Sequence, residues 1–294
     1  MPLQKLQFRP GINKDITSYS NEGGWVDGDK IRFRLGFPEK IGGWLKYSVN
    51  TFQGAARALH NWIALDGSNF LGIGTHLKYY IEEGGGFNDI TPLRSTTAAG
   101  DVTFAATNGS TTITVSDTNH GAVLNDFVEF SGAATLGGNI TAAILNAEHK
   151  VTAVVSSSQY QIVVSATANG SDTGNGGSSV VGKYQINVGL NSQVGGTGWG
   201  SSTWGRLGWG SGSSLTTTTN IRLWSHDNFG EDLIINPRDA NVYYWDKGIG
   251  LGARAVELST KSGAKSAPQI AKQILVSDQD RHVLAFGCDA INSS

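Results

Sequence analysis

The chain has 294 residues, enough to bury at least one sizeable hydrophobic core and to form two domains. Its 22 Lys and Arg residues face 24 Asp and Glu, and the net charge of −2 argues against electrostatic binding of nucleic acid. The single cysteine, Cys288, excludes an internal disulfide framework and a cysteine-based zinc site, and no apolar run is long enough to predict a membrane span.

Glycine is abundant at 40 residues, and short apolar runs broken by Gly, Asn and Asp recur along the chain. Helical periodicity is scarce: the best candidate is residues 136–148, which the Gly137-Gly138 pair weakens. The pattern predicts an all-β protein, a partial or complete β-propeller with a small β-sandwich or barrel inserted in it.

Residues 1–56 are predicted to form an N-terminal arm and the first strands. Within the segment FRLGFPEKIGGW at 33–44, the residues Gly36, Phe37 and Pro38 are predicted to form a turn. Arg32 and Arg34 fall on one face of a strand, where they would pair with carboxylates of the same domain or of an adjacent subunit.

Three segments share the pattern of an antiparallel meander. Each has a strand, a polar turn carrying an aspartate (Asp66, Asp227 or Asp278) and an apolar strand, and the first two continue into an aromatic strand. This repeat is typical of propeller blades, so we predict one blade at 57–97 and further blades at 219–294. The third meander shows only two strands, so we expect further sequence or a partner to supply the rest.

Residues 98–186 change to a composition rich in Thr, Ser, Ala, Asn and Gly, with alternating strands, and are predicted to be an inserted β domain. Because the ends of such an insertion lie close together, its deletion should leave the blades folded. Residues 187–218 are predicted to be a Gly/Trp-rich loop, in which Trp199, Trp204 and Trp209 either anchor the loop or stack on sugars or bases.

Motifs for catalysis or cofactor binding are weak. The segment Gly248–Ala253 fits a dinucleotide-binding pattern, but its antiparallel surroundings favour a link between blades. Ser225-His226-Asp227 is similar to the start of the Asp-box turn of sialidases, but the next three residues do not complete that box. We therefore predict no catalytic, cofactor-binding or metal-binding residues, no cofactor and no enzyme activity. The histidines without metal-ligand spacing are His60, His76, His120, His149, His226 and His282.

The N-terminal region resembles the start of virion proteins of tailed bacteriophages, of the tail nozzle or tail tubular type. The resemblance lies in the segments 8–12, 25–27, 31–34, 36–40 and 42–44, which read FRPGI, WVD, IRFR, GFPEK and GGW. The insertion, with NGSTTITVSDTNHGAVLNDFVEFSG, resembles domains that are common in phage structural proteins.

The resemblance implies a non-enzymatic virion subunit, made in the host bacterial cytoplasm and located in the tail. It implies a homo-oligomeric ring, typically a hexamer, next to portal-side adaptor and tail fibre proteins. Double-stranded DNA would pass through the ring without specific binding, and the net charge of −2 is compatible with that.

Two other hypotheses stay open. One is a virion-associated propeller that binds or hydrolyses glycans, for which hydrolysis would need two carboxylates facing each other across a sugar site. The other is a tail adaptor or fibre-attachment protein.

Overall fold

The computed structural model describes residues 8–43, 45–189, 221–264, 266–277 and 279–289. The chain divides into two compact units, residues 1–49 and 50–294, which are described separately. Regular structure in the described residues is overwhelmingly antiparallel β, which confirms the predicted all-β class. No helix in the described part of the chain is long and apolar enough to cross a membrane.

The N-terminal unit is built around one short hairpin, β1 (Ile31–Arg34) and β2 (Phe37–Lys40). Its turn is Leu35-Gly36, both at positive φ (50° and 85°), which is the two-residue hairpin geometry. The predicted turn at Gly36-Phe37-Pro38 is therefore wrong in position. Only Gly36 belongs to the turn, whereas Phe37 and Pro38 lie in β2, opposite Arg34 and Phe33.

The second unit starts with a four-stranded meander, here named sheet A. It is followed by an eight-stranded sheet, sheet B. Sheet A consists of β3 (Ala56–Ile63), β4 (Asn69–Thr75), β5 (Tyr79–Glu83) and β6 (Gly86–Asp89). Sheet B consists of β7 (Leu93–Thr96), β8 (Thr103–Ala106), β9 (Thr112–Ser116), β10 (Phe127–Ser131), β11 (Glu148–Ser156), β12 (Gln159–Val163), β13 (Asp172–Asn175) and β14 (Val181–Gln185).

The chain then forms a second four-stranded meander, sheet C, and a two-stranded hairpin, hairpin D. Sheet C consists of β15 (Trp224–Phe229), β16 (Asp232–Pro237), β17 (Tyr243–Trp245) and β18 (Val256–Glu257), followed by a single 3₁₀ turn at Leu258–Thr260. Hairpin D consists of β19 (Gln273–Ser277) and β20 (His282–Phe286). The helix predicted at 136–148 shrinks to one turn, α1 (Ala142–Leu145), capped by the Thr141 side chain.

Sheet B encloses a core of its own. Its two halves share one apolar cluster, in which Phe104 of β8 and Phe130 of β10 contact each other at 4.9 Å between ring centroids. Strand β11 pairs with β10 through its first residues and with β12 through the rest, so the sheet bends over that cluster. Sheet B begins at Leu93 with β7 and ends at Gln185 with β14, so it starts before the residues 98–186 that were predicted to form an inserted domain.

Sheets A and C pack against each other over a second apolar cluster, and sheet C packs against hairpin D over a third. The contact between A and C depends on two glycines in β4. A Cβ on Gly74 would lie 2.4 Å from the Trp224 ring, and a Cβ on Gly72 would lie 2.5 Å from the Tyr79 hydroxyl. The bare backbone therefore lets Trp224 reach sheet A, where its Nε1–H donates to the Thr75 carbonyl at 2.7 Å.

The predicted Asp turns are partly correct. Asp66 lies in the turn between β3 and β4, and its Oδ1 accepts from the Ser68 amide at 2.9 Å. Asp227 does not: it lies inside β15 opposite Ile234, and the turn of that hairpin is Gly230-Glu231. Asp278 lies outside the described residues, as do Trp199, Trp204 and Trp209.

We predict that Gly74→Ala destabilises the second unit by about 1–3 kcal/mol, because overpacking must displace Trp224. Gly86→Ala in β6 is the matched control, since its Cβ would meet nothing closer than 3.5 Å. Urea unfolding followed by tryptophan fluorescence gives both values. Equal midpoints for the two variants would contradict the close-approach role of Gly74.

Candidate functional site

A polar seam runs between sheets A and C, formed by His60, Tyr79, His226 and Asp227. Tyr79 is fully buried, and its hydroxyl lies 2.6 Å from Nδ1 of His226. The His226 ring also hydrogen-bonds the Leu59 carbonyl of β3. A neutral imidazole has one acceptor and one donor, so these two contacts use both ring nitrogens of His226.

The second histidine of the seam sits beside the first. His60 stacks on Trp62 at 5.7 Å and lies 5.3 Å from the His226 ring. Its Nε2 is 3.2 Å from Oδ1 of Asn228 and 3.9 Å from Oδ1 of Asp227. The seam thus links β3 and β5 of sheet A to β15 of sheet C through side-chain contacts and through the bond from the His226 ring to the Leu59 carbonyl.

Side chains of β15 form hydrogen bonds with the backbone groups on the outer edge of β19. The Ile274 amide donates to Oγ of Ser225 at 3.0 Å, and that hydroxyl donates to the Ile274 carbonyl. The Val276 amide donates to Oδ2 of Asp227 at 2.8 Å. Ser225 and Asp227, which the sequence pattern associated with an Asp-box turn, therefore join sheet C to hairpin D.

Burial governs proton binding in the seam. Burial lowers the pKa of His226 from 6.5 to about 4, and the nearby charge of His60 adds to this, while the Leu59 carbonyl and Asp227 oppose it. Burial also raises the pKa of Tyr79. At neutral pH His226 and Tyr79 therefore meet as neutral groups.

A charged junction joins sheet A, sheet B and sheet C. Its centre is Lys78, whose side chain is 3% exposed and whose Nζ lies 2.7 Å from Asp89 and 2.5 Å from Glu148 of sheet B. Arg254 of sheet C lies within 3.4 Å of Asp89 and 3.8 Å of Glu148, and its Nη1 donates to the Thr91 carbonyl. The Lys78 ammonium also lies over the ring of Phe127 at 4.6 Å.

The charges of the junction compensate each other. Burial alone would raise the pKa of Asp89, but the positive charges of Lys78 and Arg254 together hold it below its ordinary value. Gln185 donates from Nε2 to Glu148 at 2.7 Å, and its buried Oε1 has no hydrogen-bond partner among the described residues. The junction is suited to holding three sheets together, because each charge contacts partners on more than one segment and removal of one would unbalance the others in a largely desolvated site.

One groove lies where the turn ends of sheets A and C meet hairpin D, with a volume of about 450 Å³. It contains the carboxylates Glu231 and Asp232 and the guanidinium of Arg281. A hydrogen bond from Lys247 lowers the pKa of Glu231, and Asp232 accepts from the Tyr244 hydroxyl and the Lys247 amide. Both carboxylates are thus engaged in structural contacts.

The structure brings together two of the six histidines, His60 and His226, and separates the other four. Within the described residues, no group of three or more His, Cys, Asp or Glu side chains is arranged to hold a metal ion. The glycine segment at 248–253 lies in the loop between the antiparallel strands β17 and β18, away from any parallel βαβ unit in the described chain. Arg32 pairs within its own hairpin, with Glu39 at 3.2 Å.

The central residues of both sites escaped the sequence analysis. Lys78 and Glu148 are 70 positions apart, and Tyr79 and His226 are 147 apart, so no local pattern links them. One signal was available: the alternation Gly72-Ile73-Gly74 inside an apolar strand indicates close approach of another group.

We predict that stability falls as the pH drops from about 6.5 towards 4, partly through His226. The unfolded chain binds this proton below pH 6.5 and the folded chain only near pH 4, so His226 alone contributes a slope of about 1.4 kcal/mol per pH unit in that window. Replacement His226→Gln should flatten the urea midpoint against pH, while the exposed control His282→Gln should not. Identical slopes for both variants would contradict the burial of a neutral His226.

We predict that Glu148→Ala costs about 1–3 kcal/mol, because Lys78 keeps Asp89 but loses its second carboxylate partner inside a desolvated junction. Glu83→Ala, in β5 of sheet A, is the control, since Glu83 has no ion pair among the described residues. Chemical denaturation measures both. A loss below about 1 kcal/mol for Glu148→Ala, the value typical of a surface pair, would contradict the junction's role.

Comparison with known proteins gives little beyond this geometry. No family model matches the sequence, and no curated protein matches it. Among solved structures, the chain is similar to the phage phi92 endosialidase, at 12% identity and a TM-score of 0.26. The match covers 71% of this chain and spans 30% of that one, and a score this low supports no conclusion about a shared fold or function.

Proposed function

We propose that this chain is a structural subunit of a bacteriophage tail, of the nozzle or tube type, whose copies form a ring that conducts the genome. Adaptor and fibre proteins would be its neighbours, and the virion tail its location. The support comes from the resemblance of residues 8–44 to openings of such virion proteins, and from the exposed surface that these residues form.

The N-terminal unit cannot bury its own apolar side chains. Of its described residues only Asn21 is buried, while eleven large apolar side chains are at least 39% exposed. An apolar surface on this scale is typical of a segment that packs against another protein surface. The exposed side chains are Phe8, Ile12, Ile16, Tyr19, Val26, Leu35, Phe37, Ile41, Leu45, Tyr47 and Val49.

Leu35 is the observation that carries the proposal. It occupies the left-handed region at φ 50°, which is strained for a residue of this size, and its side chain is 91% exposed. An asparagine would suit both the turn and water better. A leucine that is unfavourable in both respects in the isolated chain is explained if an assembly buries it.

A second candidate function is supported by one specific observation. The 450 Å³ groove contains two carboxylates, a guanidinium and the apolar side chains of Ile63 and Leu65. Such a mixture is typical of ligand sites, so glycan binding or hydrolysis there is the alternative function. Because Glu231 is held ionised by Lys247, it is a poor general acid at neutral pH.

We predict that the purified chain assembles and that Leu35→Asn weakens assembly at least tenfold while the hairpin stays folded. Mass photometry gives the dissociation, and negative-stain images show whether the particles are rings. Val155→Thr, which removes an exposed apolar side chain from sheet B, is the control and should assemble normally. A monomer at all concentrations that turns over or binds glycans would support the alternative and contradict the proposal.

A further inference from the structure

Hairpin D has one protected and one open edge. The outward amides of β19, those of Ile274 and Val276, are bonded by Ser225 and Asp227. Because bonding alternates along an antiparallel strand, Val283 and Ala285, which face these two residues, direct their backbone groups to the other edge. That edge of β20 pairs with no strand in the part of the chain that the structure describes.

The N-terminal hairpin shows the same asymmetry. Its two-residue turn makes Arg34 and Phe37 a hydrogen-bonded pair, and the bond from the Ile41 amide to the Lys30 carbonyl fits the same alternation. The outward residues are therefore Ile31 and Phe33 in β1, and Pro38 with Lys40 in β2. Pro38 has no N–H, so β2 is suited to be a terminal edge strand, whereas the outer edge of β1 pairs with no other strand among the described residues.

We propose that β1 of one copy adds as an antiparallel strand to β20 of a second copy of this chain. The resulting order, β19-β20-β1-β2, has four strands, as sheets A and C have. One outer edge of this sheet is β2, which contains Pro38. The other is β19, whose amides are bonded by Ser225 and Asp227. Main-chain hydrogen bonds between Ile31 and Ala285 and between Phe33 and Val283 would supply the affinity.

The side chains agree with this register. Val283 and Ala285 belong to the face of hairpin D that packs against the core of sheet C. Residues opposite each other in a sheet share a face, so Ile31 and Phe33 would extend this apolar face. Arg32 and Arg34 would fall on the other face, towards solvent. A register shifted by one residue would place the arginines on the core side, which their charge disfavours.

The partner follows from the geometry of a single chain. Each copy offers one donor strand, β1, and one acceptor strand, β20, so the contact between copies is heterologous and repeats head to tail. A closed ring satisfies every donor and acceptor. The inference rests on the proposed assembly of copies and adds the surface through which neighbouring copies would pair.

The experiment is a disulfide trap between two differently labelled copies, both carrying Cys288→Ser. One copy carries Arg32→Cys and the other carries Leu284→Cys, which the register places directly opposite each other. Mild oxidation should convert at least half of the mixed protein to the heterologous disulfide, identified by intact mass and peptide mapping. The control Lys46→Cys, in the same N-terminal unit, should cross-link with Leu284→Cys at least tenfold less.

The outcomes separate the inference from the function on which it rests. Assembly seen by mass photometry without the Arg32→Cys to Leu284→Cys bond would keep the ring and overturn this strand pairing. A cross-link found only when both cysteines are in one chain would overturn the exchange between copies. A monomer with no cross-link at all would overturn both proposals.

Discussion

The second unit depends on a stretch of bare backbone in β4. Gly72 and Gly74 leave the inner face of sheet A open, so that Tyr79 lies across one glycine and Trp224 of sheet C against the other. The two rings meet edge to face at 4.9 Å. This contact places Trp224 where it can donate to Thr75, and it places His226 beside the Tyr79 hydroxyl. It also positions β15 so that Ser225 and Asp227 reach hairpin D. Glycine costs backbone entropy in a strand, and the close sheet contact offsets that cost.

The charged junction attaches sheet B to sheet A, as the contact at Gly72 and Gly74 attaches sheet C to sheet A. Sheet B has a core of its own, so apolar burial does not force it against sheets A and C. Glu148 and Gln185 instead reach Lys78, and Glu129 lies 3.6 Å from Arg254. A buried charge network is demanding in geometry, because each charge loses water and must find its partners. The insertion is thereby oriented as well as attached, which simple closeness of its two ends would not achieve.

The sequence predicted what is local and missed what is distant. Alternating runs such as ITVS, FVEF and YQIV mark strands, and all three are strands here, because period-two patterning and β-branched residues act within a few positions. The turn at Asp66 follows from the same local chemistry. The prediction of a turn at Asp227 was wrong because aspartate is typical of turns. Here it lies within a strand, where its carboxylate accepts a hydrogen bond from β19. The seam and the junction could not be foreseen, since the contacts at their centres, Tyr79 with His226 and Lys78 with Glu148, join residues 147 and 70 positions apart.

The described strands differ in whether their outer edges are protected from pairing with another strand. An unpaired strand edge invites association, and this chain protects its edges in different ways. Serine and aspartate side chains bond the amides of β19, and a proline removes a donor from β2. If protection were general, β1 and β20 would carry similar devices, yet their outward positions hold Ile31, Phe33, Val283 and Ala285. Ile, Phe and Val favour β-strands, and all four side chains are apolar, which supports the proposal that these two edges pair with a strand of another copy.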